Sequence, residues 1–174
     1  MIDTGRIQLY YGDGKGKTTA AVGLCLRAAA QGLKVCFFHF LERDEWSERA
    51  VLKQIPGITV LEGRVLEKKV RNLNSDEKAI VKRYNNKALD ELAKFSTNFD
   101  VLVLDDALTA IALDLLSEEK IYHFLKGKAR GLEVVLTGTD VTERILKLAD
   151  YATYMKKISH PADQGKMLRR GIDY

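Results

Sequence analysis

Cysteine is scarce in this sequence. Cys25 and Cys36 are the two in 174 residues. Both sit inside apolar stretches, so a disulfide framework is excluded and they read as small core residues in a reducing compartment. Proline is equally rare, with Pro56 and Pro161 alone, which excludes a proline-rich linker or a collagen-like chain. No apolar run approaches the roughly 18 residues that a membrane span needs, so no membrane partner is expected. The opening Met1-Ile2-Asp3-Thr4 lacks the charged and apolar segments of a secretory signal, and the cytoplasm is the expected compartment. His39, His123 and His160 stand apart from the cysteines, so zinc-like spacing is missing. There is no Gly-x-Ser-x-Gly elbow, no internal repeat and no low-complexity tract.

What is present is ordinary for a globular protein: 46% hydrophobic and 30% charged residues. At this length one domain over residues 1–174 is expected, burying roughly 70% of the surface that the unfolded chain exposes. The net charge is +4, which suits an anionic ligand without demanding one. The excess is uneven. Residues 64–87 carry eight basic and three acidic side chains, and residues 156–174 carry five and two. Few aromatics interleave with them, so they are a weak nucleic-acid signal, and the first patch reads as a solvated helix face.

Short β-rich runs alternate with helical patterns. Strands are predicted over residues 7–11, 34–41, 58–61, 100–106, 133–137 and 151–155. Helices are predicted over residues 17–31, stopped by Gly32, over 45–54, over 75–95, from Ser117 to Gly127 or Gly131, and from an Asp140 cap to Leu148. In the long helix Ile80, Tyr84, Ala88 and Leu92 recur every four residues as one stripe, and Asn74 with Glu77 has capping-box spacing. Strands that are apolar throughout and separated by helices predict a parallel sheet covered on both faces. Ligands of such sheets bind at the carboxyl ends of the strands, which points to the residues after the first strand and to Asp105 and Asp106.

After the first strand comes Gly12-Asp13-Gly14-Lys15-Gly16-Lys17-Thr18-Thr19. Gly16-Lys17-Thr18 matches the end of the phosphate-loop pattern G-x-x-x-x-G-K-[ST], while the opening glycine position is held by Tyr11. Three glycines in five residues let backbone amides curl around a phosphate. The following helix aims its N-terminus at the same anion. Lys17 would neutralise phosphate oxygens, Thr18 is placed to ligate Mg²⁺, and Lys15 adds charge at the tip. A strand before, a helix after and Gly-Lys-Thr at the junction make a solvated glycine turn the poorer reading. The expected fold is therefore α/β: a doubly wound, mostly parallel sheet, P-loop NTPase-like and RecA-like.

The apolar run 101–104 followed by Asp105-Asp106 has the form of a Walker B strand. One carboxylate would hold Mg²⁺ and the other would orient that shell. The pair equally fits a helix N-cap; the upstream loop favours the metal reading. His39 reads as a hydrogen-bonded core residue, His123 as surface, His160 as part of a polar turn, and Trp46 as packing.

The loop 12–21 resembles that of the corrinoid adenosyltransferases of the cob(I)alamin type. So do residues 101–109, Thr137-Gly138, Ala149-Asp150, His160-Pro161, Gly165 and Gly171-Ile172-Asp173-Tyr174, in the family's order. This resemblance implies transfer of the 5′-deoxyadenosyl group of ATP to the Co(I) of a reduced corrinoid, cobalamin or cobyrinic acid a,c-diamide, with triphosphate leaving. It implies ATP bound along Gly12–Thr19 in reversed direction, so that C5′ faces the corrinoid. It also implies Mg²⁺, with Mn²⁺ as a substitute, on Thr18 and Asp106 with Asp105 in support, and Lys17, Thr18 and Asp106 as the catalytic set. A homodimer and an external flavoprotein reductant are implied as partners. Four features depart from the family: Asp106 replaces Glu, Thr139 replaces an Arg, Glu42-Arg43 replaces Lys-Gly, and no Phe-Thr-Trp segment lies between Leu61 and Leu73. The alternatives are a small-molecule kinase or NTPase on the same loop, and a nucleotide-dependent nucleic-acid-binding module on the basic helix.

Overall fold

A computed structural model describes residues 3–41, 48–66, 68–167 and 169–173. Six strands form one sheet: β1 (Ile7–Tyr11), β2 (Val35–His39), β3 (Ile58–Leu61), β4 (Val101–Asp105), β5 (Glu133–Gly138) and β6 (Tyr151–Tyr154). Their spatial order is β3-β2-β4-β5-β1-β6 and every pairing is parallel. Helices α1 (Lys17–Ala30), α2 (Glu48–Leu52), α3 (Ser75–Phe95), α4 (Ala107–Ala112), α5 (Glu118–Gly127) and α6 (Glu143–Leu146) connect them.

Alternation along the strands builds two apolar layers. Cys36, Phe38, Leu102, Leu104, Val134 and Leu136 point to the side covered by α3, α4, α5 and α6. Val35, Phe37, Val101, Val103 and Val135 point to the side covered by α1 and α2, against Ala21, Cys25, Ala28 and Leu52. With both faces covered, β2, β4 and β5 can be apolar on both sides through their middles, as residues 35–38, 101–104 and 134–136 are, leaving the polar residues at the strand ends. The small side chains of α1 let it lie close over β4 and β5. The buried thiols of Cys25 and Cys36 are unpaired with each other, and burial pushes both up to about 12. They are packing groups, as expected.

Two predicted details are corrected. The buried stripe of α3 is Val81, Asn85, Leu89 and Leu92; of the predicted set Leu92 is buried, Tyr84 and Ala88 are half-buried, and Ile80 is 45% exposed. Asn85 disguises the stripe: it is polar, yet fully buried, with its amide donating to the Leu115 carbonyl at 3.0 Å. The last helix begins at Glu143 with Thr142 as its cap, the Ile145 amide donating to Thr142 Oγ1 at 3.3 Å. Asp140 instead accepts from the next amide, Val141, at 2.8 Å. The capping box is present in full, with Glu77 N–H donating to Asn74 Oδ1 at 2.9 Å and Asn74 N–H to Glu77 Oε2 at 2.8 Å. Of the predicted helix over 45–54, residues 45–47 and with them Trp46 lie outside the described residues.

Leu136 is fully buried in β5 between β1 and β4. Leu136→Ala is expected to lower the unfolding free energy by about 2–5 kcal/mol. A urea titration checks it: the midpoint falls with the slope unchanged.

Candidate functional site

Parallel strands bring four carboxyl ends to one edge of the sheet. β1 ends in the glycine loop, β2 in His39, β4 in Asp105 and Asp106, and β5 in Thr137 and Gly138. Strand order makes these ends neighbours although they lie far apart in sequence. His39 sits beside Asp105 in the β2–β4 register.

The loop is built by backbone contacts on both flanks. Gly12 N–H donates to Gly138 O at 3.2 Å, and Gly14 N–H to Met155 O at 2.7 Å. A Cβ on Gly14 would stand 2.7 Å from that carbonyl oxygen, so close approach of the chain after β6 requires glycine there. Gly16 requires glycine for another reason: it is the N-cap of α1 with φ 108°, in the left-handed region. The amides of Lys17, Thr18 and Thr19 then open the helix with no intrahelical acceptor. Lys17 Nζ lies inside the curl, donating to Gly12 O at 2.8 Å and Gly14 O at 2.7 Å. Lys15 and Thr19 are exposed.

Asp13 turns away from the curl. Its Oδ1 accepts from the Lys157 amide at 3.0 Å and from the Tyr154 hydroxyl at 3.4 Å. The Lys157 amide bond holds this carboxyl below the usual carboxylate range. Tyr11 and Tyr154 pack with ring centroids 5.4 Å apart beside it. Nothing in the sequence pattern tied the loop to the end of β6 and the segment after it, because the tie joins main-chain atoms and the Asp13 carboxylate to residues about 140 positions away.

The acidic pair divides into an inner and an outer carboxylate. Asp105 is fully buried. Thr18 Oγ1 donates to it at 3.0–3.1 Å, and Thr137 Oγ1 at 2.5 Å. Burial holds Asp105 above the ordinary range, against the pull of His39, Thr137 and Thr18. Asp106 is the outer member, its side chain 32% exposed. Its backbone is in the left-handed region, φ 54°, at the N-cap of α4 without a side-chain cap bond. Its amide donates to Thr137 Oγ1 at 2.9 Å, Thr109 Oγ1 donates to its Oδ1 at 2.8 Å, and His39 Nε2 lies 3.1 Å from its Oδ2. Burial pushes Asp106 up, but the bond and charge of His39, with Thr109 and Lys17, outweigh it and leave the carboxyl low. Burial depresses His39 in turn, and the Asp106 bond with both acidic charges overcomes that, leaving the ring above its ordinary value.

The structure thus brings the predicted loop and Asp105 and Asp106 to one place, with Thr18 meeting Asp105. Sequence reasoning missed three neighbours: His39, Thr109 and Thr137. The available signal was position, since each lies at or just after the carboxyl end of a strand. His39 is the hydrogen-bonded, mostly buried residue expected, but its partner is Asp106. His123 is on the surface against Glu119 at 2.6 Å, and His160 Nδ1 accepts from the Ala162 amide at 3.2 Å. The basic segment spends some of its charge internally, Lys68 on Glu77 at 2.6 Å and Lys82 on Asp114 at 2.5 Å. Glu42-Arg43 lies outside the described residues. Thr139 is exposed, with its amide donating to Thr109 Oγ1 at 3.0 Å.

Comparison with known proteins identifies the family of the chain. The family model for ATP:corrinoid adenosyltransferase BtuR/CobO/CobP matches residues 3–174. The corrinoid adenosyltransferase of Escherichia coli K12 is 30% identical over 174 residues, covering 99% of this chain and 87% of that protein. Corrinoid adenosyltransferase CobA of Salmonella typhimurium is 28% identical over 176 residues, with 99% and 87% covered. An uncharacterized protein of Nostoc sp. strain PCC 7120 is 30% identical over 183 residues, and this chain spans 48% of its length. A family-model match over residues 3–174, nearly the whole chain, places this protein in the ATP:corrinoid adenosyltransferase family.

Proposed function

We propose that this chain carries out its family's reaction, ATP-dependent adenosyl transfer to a corrinoid, with the polyphosphate of ATP held on Gly12–Thr19 and C5′ left open to the cobalt. The observation that carries this reading is the Lys17 ammonium inside the glycine curl, at the head of α1 and beside the Thr18–Asp105 contact. Phosphate oxygens entering the curl exchange neutral carbonyl partners of Lys17 for anionic ones. The helix-opening amides of Lys17, Thr18 and Thr19 add donors along the same line. Lys15 supplies charge at the mouth.

The reacting pair is Co(I) of the reduced corrinoid and C5′ of ATP. A Co–C5′ bond forms with the electron pair of cobalt, the C5′–O bond breaks, and its pair leaves on triphosphate. The nucleophile has no proton to lose, so the site needs no general base. What the chain must supply is in-line placement and stabilisation of the charge gathering on the leaving group. Lys17 and the loop amides do this at the phosphate oxygens.

The residues also fit a hard divalent cation, Mg²⁺ or Mn²⁺, because oxygen donors converge beside the loop. Thr18 and Asp106 would hold it, since the outer carboxylate is the exposed one. Asp105 would act through Thr18, whose hydroxyl it orients. Such an ion supplies further positive charge to the polyphosphate.

The wider setting combines two sources: the sequence favours a cytoplasmic enzyme with one nucleotide-binding domain over residues 1–174, and the family resemblance implies a homodimer fed by an external flavoprotein reductant. Among the described residues no helix is long and apolar enough to cross a membrane.

An anaerobic assay with chemically reduced cobalamin and MgATP tests the reaction. Light-sensitive adenosylcobalamin and triphosphate are expected in equal amounts; ADP as the product would instead favour a kinase or NTPase. Lys17→Ala is expected to lower turnover by about 10²–10³-fold while circular dichroism shows a folded protein. For Asp106→Asn, the Mg²⁺ concentration giving half-maximal turnover is expected to rise about tenfold or more; a metal titration of turnover measures it.

A further inference from the structure

Asp106 is an unusual residue to leave to its own rotamer preferences. It is a non-glycine residue with positive φ, at the junction of β4 and α4, and its side chain is partly open to solvent. Residues held in such sparsely populated backbone regions persist where surrounding contacts over-determine them, and they cluster at functional sites. Three contacts hold Asp106. Thr137 accepts its amide, which sets the main chain. Thr109 grips Oδ1 from the next turn of the same helix and therefore moves with it. His39 meets Oδ2 at 3.1 Å from β2, a different element, and so ties the carboxylate to the sheet.

The histidine is well placed for that task. Its side chain is only 12% exposed, and the parallel register seats it directly beside Asp105. The ionised carboxylate is acceptor only, so Nε2 is the donor. Its other ring nitrogen, Nδ1, is 3.7 Å from Asp105 Oδ2, beyond hydrogen-bond reach.

We propose that His39 is a positioning residue: the hydrogen bond from its Nε2 to Asp106 Oδ2 fixes the outer carboxylate toward the cation and polyphosphate of the bound nucleotide. This rests on the reading of Asp106 as a metal carboxylate given above. Partners that orient a metal carboxylate typically contribute about 10–100-fold in metal affinity or activity.

The test compares His39→Gln, His39→Asn and His39→Leu. The Gln amide reaches the place of Nε2, the Asn amide reaches only the place of Nδ1, and Leu offers no donor. The probe is Mn²⁺ with ATP and without corrinoid, free Mn²⁺ being read by electron paramagnetic resonance. His39→Leu and His39→Asn are expected to weaken Mn²⁺ binding about tenfold or more, and His39→Gln to recover to within about threefold of the parent. In an Asp106→Asn background, His39→Leu is expected to add less than about twofold, because the shared partner is already gone. Should His39→Leu fail to fold, the Gln and Asn variants still make the comparison. Equal weakening by Gln and Asn, or no weakening by Asn, overturns the proposal while leaving Asp106 as the metal carboxylate. Unchanged Mn²⁺ binding in Asp106→Asn alone overturns both readings at once.

Discussion

A carboxylate with no exposure to water organises this end of the molecule. Asp105 lies at the end of a strand that is buried along its whole length, and an ion so placed is costly unless its oxygens are satisfied. The satisfying groups come from elsewhere in the chain: Thr18 at the head of α1, Thr137 at the end of β5 and, at longer range, His39 at the end of β2. One buried carboxyl thereby ties the start of the first helix to the ends of β4 and β5, with His39 of β2 alongside. The glycine loop hangs between two of these fixed points. Its curl is set by the sheet below and by the Met155 carbonyl at its flank, rather than by the ligand it would receive.

That constraint explains why the two acids differ in role although they adjoin in sequence. Alternation along a strand would send neighbours to opposite faces, but the strand ends at Asp105 and the chain turns through a left-handed residue at Asp106. The first carboxylate is drawn inward to the threonines. The second is thrown outward, where it keeps a clamp on each oxygen and a face open to solvent. A buried organiser and an exposed ligand group are thus made from two consecutive aspartates.

Much of this was legible in the residues, and the exceptions have physical reasons. Apolar runs too continuous for a one-sided sheet foretold the parallel, doubly covered architecture. Gly16-Lys17-Thr18 between a strand and a helix foretold the loop, because those residue types mark a phosphate loop by local spacing even though distant contacts complete its curl. The order of the strands was not legible, and with it went the meaning of His39: an imidazole in an apolar run reads as core until β2 is known to lie beside β4. The α3 stripe was misplaced except at Leu92 because a buried asparagine whose amide donates to a carbonyl looks, in sequence, like a surface residue. Gly14 was read as room for phosphate, whereas its own lack of a side chain also makes room for the Met155 carbonyl.

The central claim is that the polyphosphate tail of ATP occupies the glycine curl while the nucleoside carbon faces outward. A crystal structure of the chain with MgATP tests it most directly. The account requires phosphate density against the amides of Lys17 and Thr18 and the Lys17 ammonium, with C5′ directed to the open side of the site. Phosphates bound elsewhere, or a nucleotide whose ribose is enclosed by protein on every side of C5′, would contradict it.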